Sequence, residues 1–69
     1  MKEIALNNSE YIELCDLMKI MDMTSSGAEA KHIIAEGKVK VDGATELRKR
    51  CKIRQGQVVT YKTFEVKVV

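Results

Sequence analysis

The stretch Arg48-Lys49-Arg50-Cys51-Lys52-Ile53-Arg54 places five cations within seven residues. Such a run repels itself in water and is best neutralised by a polyanion. Arginine can grip a phosphate through two parallel N–H bonds, whereas lysine acts as a point charge. Residues 50–54 alternate cationic with apolar side chains, the period-two pattern of a half-buried strand. That pattern turns Cys51 and Ile53 inward. It spaces Arg50, Lys52 and Arg54 by about 6.7 Å along the other side, close to the phosphate repeat of a nucleic-acid strand. Lys31, Lys38 and Lys40 extend the basic set upstream.

The charge is segregated along the chain. Residues 1–30 carry two lysines against six acids, residues 31–54 carry eight Lys or Arg against three acids, and residues 55–69 carry two lysines and one glutamate. The middle third therefore holds +5 of a net charge of +2, opposite an N-terminal −4. One face for a polyanion and another for water is the layout this implies. The basic block contains no aromatic residue, Tyr61 and Phe64 follow it, and Tyr11 lies far before it. Recognition by phosphates and helical shape is expected over base stacking, which suits folded RNA.

A second anion seat is offered by Ser25-Ser26-Gly27. Ser26-Gly27-Ala28-Glu29 has the spacing of a capping box at the start of a helix. Free N–H groups and the positive dipole end point outward there, Gly27 lets a phosphate backbone come close, and Lys31 adds a charge one turn later. Glu29 opposes this slightly by placing a negative charge at the same terminus.

Little else points to chemistry. The single histidine, His32, lies opposite Ile34 on the same helix, beside Glu29 and Glu36, and reads as part of a solvated face. Cys15 and Cys51 lack the spacing of a metal site or a redox motif. Cations flanking Cys51 could activate its thiol, but an inward-facing strand residue accounts for it better. No nucleophile–base pair can be assembled. The expectation is a non-catalytic protein with no metal, no cofactor and no small-molecule substrate.

The elements that must position these residues follow from local pattern. Lys2–Leu6 alternates weakly, as a short edge strand would. Asn7-Asn8-Ser9 is a turn and helix-cap signal, and the helix it opens runs to about Met21 with Leu14, Leu17, Met18 and Met21 as its apolar stripe. Ile12 and Ile20 fall off that stripe. A second helix, with Ala30, Ile33 and Ile34 inward, ends at Gly37. Lys38–Val41 is a strand with Val39 and Val41 inward, and Asp42-Gly43 turns it into a hairpin that pairs Val41 with Ala44 and Lys40 with Thr45. The next rung would set Glu46 beside Val39, so the ladder should stop or bulge. Gln55-Gly56-Gln57 turns the chain into a last hairpin, Val58–Tyr61 with Phe64–Val68.

Taken in order, Ser25-Ser26-Gly27-Ala28-Glu29-Ala30-Lys31, Ile33-Ile34, Glu36-Gly37, Val39-Lys40-Val41-Asp42-Gly43, a basic loop and a turn at Gly56 resemble the RNA-binding domain named for ribosomal small-subunit protein four, the S-four type or αL motif. The resemblance covers residues 11–61. Glu13-Leu14-Cys15-Asp16-Leu17 and Arg48–Ile53 resemble the stand-alone bacterial members of YbcJ type. It departs at Gly27, where many members carry Arg, and at Gln57, where a Gly-Asp pair is usual.

The resemblance implies an α+β fold: two helices, in a helix-turn-helix-like αL arrangement, packed on a small, mostly antiparallel sheet. It also implies binding of structured RNA, of ribosomal or transfer type, through Ser25, Ser26, Gly27, Lys31, Lys40, Arg48, Lys49, Arg50 and Lys52. The alternating pattern adds Lys38 and Arg54. A chain of 69 residues should form a single domain that buries only about 60% of its unfolded surface. With no apolar run near the roughly 18 residues a membrane span needs and no signal-peptide pattern, a cytoplasmic monomer is expected. The alternative is a regulatory or protein-interaction module whose basic face docks on an acidic partner. DNA binding is weaker, because the second helix offers only Lys31 and His32 as polar readers of a groove.

Overall fold

The computed structural model describes residues 1–69. In chain order the elements are β1 (Lys2–Ile4), β2 (Ile12–Glu13), α1 (Leu14–Ile20), α2 (Gly27–Ala35), β3 (Val39–Val41), β4 (Ala44–Thr45), β5 (Lys52–Ile53), β6 (Val58–Tyr61) and β7 (Phe64–Val68). Five strands form a mixed sheet in the order β1-β7-β6-β3-β4, and β2 pairs with β5 in a separate antiparallel ribbon. Only β1 runs parallel to its neighbour, β7. The two helices pack on this sheet, and the architecture is α+β.

Period-two burial builds the sheet. Val39, Val41, Val59, Tyr61, Val66 and Val68 face inward, while Lys40, Thr45, Thr60 and Glu65 are linked through cross-strand pairs on the outer face. Leu14, Cys15, Leu17 and Met18 of α1, Ala30 and Ile34 of α2, Ile53 of β5, and Met23 and Cys51 from the loops complete one core of fifteen buried residues. At ~25 cal/mol for each Å² of apolar surface removed from water, that shared core supplies the main favourable term of folding.

The β3–β4 turn forms as the Asp42-Gly43 pair requires, with φ of 52° and 83°. Its register sets Lys40 opposite Thr45 and Val41 opposite Ala44. The ladder then ends on one bond, from the Glu46 N–H to the Val39 carbonyl at 3.0 Å.

Helix α2 begins at Ser26, whose hydroxyl accepts from the Glu29 N–H at 3.1 Å. It stops before Gly37, which takes φ of 78°. Gly37→Ala is expected to cost about 1–2 kcal/mol, the strain of a left-handed non-glycine residue. The backbone alone sets that cost, since an added methyl would meet Leu47 Cδ2 at 3.6 Å and Thr45 Cγ2 at 3.8 Å, ordinary contacts. Urea denaturation measures it, and an unchanged midpoint would contradict the assignment.

The first helix departs from the sequence expectation. Asn7 and Asn8 take φ of 51° and 75°, and the Ser9 N–H donates to the Leu6 carbonyl at 3.1 Å. These residues make a tight turn, not a cap. Ile12 and Glu13 are extended and pair with Ile53 and Lys52. Glu13 is the N-cap residue of α1, and its side chain makes no capping bond. The helix N–H groups of Leu14 and Cys15 donate instead to the carbonyls of Cys51 (2.9 Å) and Lys49 (3.2 Å). Tertiary pairing thus displaces the local cap signal.

Candidate functional site

Those two bonds tie the basic loop to the start of α1, and a single carboxylate organises the rest of it. Glu46 accepts from the Arg48 N–H at 3.0 Å, from Arg48 Nε at 2.9 Å and from Arg48 Nη2 at 3.1 Å. The Cys51 thiol lies 3.5 Å from the same carboxylate, and the Cys51 N–H closes a turn onto the Arg48 carbonyl at 3.2 Å. A loop without regular structure therefore has its polar groups fixed at both ends.

The hydrogen bonds from the Arg48 side chain, then its N–H, pull the Glu46 carboxyl from 4.5 down to about 2. The same carboxylate raises Arg48 further. Burial first, then the hydrogen bond to Glu46, pushes the Cys51 thiol up. Both effects favour the neutral thiol over the thiolate, against the coulombic pull of Arg48. Because the folded carboxyl titrates below the unfolded one, the Glu46 contribution to stability is complete above about pH 4.5 and is lost as pH falls toward 2. Glu46→Gln is accordingly expected to flatten the acid limb of the stability curve between those values. Urea midpoints measured from pH 2 to 6 check this, and parallel curves for the two proteins would contradict it.

The cations do not share one environment. Arg48, Arg50, Cys51 and Lys52 line a common shallow recess. Lys52 and Arg54 flank the ring of Tyr11, with Lys52 Nζ 5.0 Å and the Arg54 guanidinium carbon 5.7 Å from its centroid. Three ion pairs form in the chain: His32–Glu36 at 3.5 Å, Lys38–Glu36 at 3.3 Å and Arg48–Glu46 at 2.9 Å. Lys31, Lys40, Lys49, Arg50, Lys52 and Arg54 have no carboxylate partner. Arg54 is steadied through its backbone, whose N–H donates to Gln57 Oε1 at 2.7 Å. Gln57 in turn donates to Asp42 at 3.2 Å.

Three sequence expectations need correction here. The strand expected over residues 50–54 is only Lys52–Ile53, and Arg50 sits in the preceding turn, because β5 pairs with the two residues of β2 rather than with the main sheet. Lys40 emerges from the outer face of the five-stranded sheet, apart from the β2–β5 ribbon that carries Lys52. The seat at Ser25-Ser26-Gly27 already holds an anion: Glu29 accepts from the Ser25 N–H at 3.2 Å and from its hydroxyl at 3.1 Å. That terminus and Lys31 lie outside the recess. The nine residues of α2 separate its start by about 13 Å from the end near Leu47 and Thr45.

With this geometry in view, residues 4–69 match the S4 domain family. The chain belongs to the S4 domain family. It is 52% identical to YbcJ of Escherichia coli (strain K12) over 69 residues, covering all of this chain and 99% of that protein. YbcJ of Shigella flexneri matches to the same extent. The solution structure of E. coli YbcJ, described as revealing an αL motif involved in RNA binding, superposes with a TM-score of 0.77 over 100% of this chain and 87% of that one. The match spans residues 4–69, so β2 and the last hairpin belong to the S4 domain as much as the helices do, while of β1 only Ile4 falls within it. Sequence reading missed Tyr11, Glu46 and Gln57 as organisers of this site. Only the strand-forming run Tyr11-Ile12, with Ile12 off the helical stripe, hinted at the first.

Proposed function

We propose that this S4 domain binds structured RNA, of ribosomal or transfer type, by gripping its sugar–phosphate backbone with residues 48–54. The observation that carries the reading is a cluster of exposed cations, Lys49, Arg50, Lys52 and Arg54, that no carboxylate of the chain neutralises. Arg48 adds a guanidinium held in one orientation by Glu46. It stays 77% exposed, so its outer N–H groups are open to a phosphate. The E. coli relative's αL motif, described as involved in RNA binding, supports the same reading. Lys31, Lys38 and Lys40 serve as outer contacts reached only by an RNA broad enough to span the domain.

Four to five phosphate contacts predict that log affinity falls with log salt at a slope of roughly −3 to −4.5. Fluorescence titration of a folded RNA hairpin at several salt concentrations measures it. A slope near zero, or equal affinity for an acidic polypeptide, overturns the reading.

A further inference from the structure

Tyr11 lies one rung beyond the β2–β5 ladder, in which Ile12 faces Ile53 and Glu13 faces Lys52. Continuing that register sets Tyr11 opposite Arg54 and diagonal to Lys52, on the ribbon face away from Ile53. Both cations lie against the ring, at 5.0 and 5.7 Å from its centroid. Lys52 has a carboxylate, Glu13, directly across the ladder, yet makes no ion pair with it. The choice of partner matters for binding. A carboxylate would fix the cation and cancel its charge. An aromatic face attracts the cation through its quadrupole and leaves the full charge available to an anion.

Resting on the reading of the basic loop as an RNA grip, we propose that Tyr11 is a positioning residue that presets Lys52 and Arg54 for phosphate while keeping both unneutralised. Lysine and arginine carry large rotamer entropy, and a phosphate contact must order them. The ring meets part of that cost before RNA arrives. Tyr11 itself need not touch the RNA.

The test titrates a folded RNA hairpin with wild type, Tyr11→Phe, Tyr11→Leu, Lys52→Ala/Arg54→Ala and the triple variant containing Tyr11→Leu. Tyr11→Phe keeps the ring and is expected to stay within about twofold of wild type. Tyr11→Leu keeps apolar bulk and is expected to weaken binding by roughly three- to tenfold. In the Lys52→Ala/Arg54→Ala background the same leucine substitution is expected to change nothing. NMR of the RNA-free protein supplies a readout independent of binding: the Lys52 and Arg54 side-chain methylene protons should show upfield ring-current shifts that vanish in Tyr11→Leu.

Equal binding by wild type and Tyr11→Leu overturns the proposal. So does an undiminished leucine effect in the doubly substituted background, which would mean that Tyr11 acts by direct contact or through the fold. Absence of salt-dependent RNA binding by wild type overturns the RNA reading itself and the positioning role with it. The ring-current shifts would then still record whether the ring holds the two cations.

Discussion

Ile53→Ala is expected to lower the unfolding free energy by about 2–5 kcal/mol, the cost of deleting three buried carbons and leaving a partly unrelaxed cavity. Ile53 is fully buried, and it pairs with Ile12 in the ribbon that fastens the basic loop to the start of α1. A chain of 69 residues has a total stability of roughly 3–10 kcal/mol, so this one change removes a large part of it. The urea midpoint should fall at nearly constant m-value. Leu47→Ala is the matching control: Leu47 is 59% exposed, and a shift within about 0.5 kcal/mol is expected. A loss below about 1 kcal/mol for Ile53→Ala would mean that β5 is not anchored in the core as described.

The largest effect on binding is expected from Arg50→Ala, Lys52→Ala and Arg54→Ala combined. All three side chains are exposed, and none is in an ion pair. Their removal should leave the fold intact and relieve mutual repulsion. Each lost phosphate contact lowers the magnitude of the salt slope by about 0.7–0.9, so the triple variant should lose roughly 2 to 2.7 of it. Affinity for a folded hairpin should drop at least about 100-fold at low salt, a little under 3 kcal/mol. The loss should be similar for unrelated hairpin sequences, because phosphate contacts position an RNA without reading its bases. A strongly sequence-dependent loss would point to base recognition by these residues.

Much of the fold was legible because its signals are local. Asp42-Gly43 specified both the hairpin and its register, and Ser26 with Gly37 marked the ends of α2. Alternating valines identified the strands and their buried face. The first helix was misread for a related reason: Asn7-Asn8-Ser9 is equally good as a turn or a cap, and nothing nearby decides between them. What decides is the pairing of Ile12 with Ile53, a contact across 41 residues whose register no local pattern reveals.

The candidate site shows the same division. Charge segregation is a property of composition, so the basic block could be read directly from the chain. Its internal arrangement depends on tertiary contacts. Glu46 counted as one more acid in the sequence, whereas in the fold its carboxylate orders Arg48 and Cys51. Tyr11 looked remote from the cations, yet the ribbon brings its ring against two of them. The capping box formed, but Glu29 reached Ser25 rather than closing only on Ser26. That shift by one residue fills the seat read as open to phosphate.

The proposed RNA-binding face is tested most directly by adding a folded RNA hairpin to isotope-labelled protein at low salt and following backbone amides together with arginine Nε–H signals. The largest shifts and broadening are expected at residues 48–54 and at the Arg50 and Arg54 side chains, with Glu65 and Lys67 of β7 unmoved. Changes centred on β7, or on the acidic residues Asp16 of α1 and Asp22 just after it, would contradict a grip by residues 48–54.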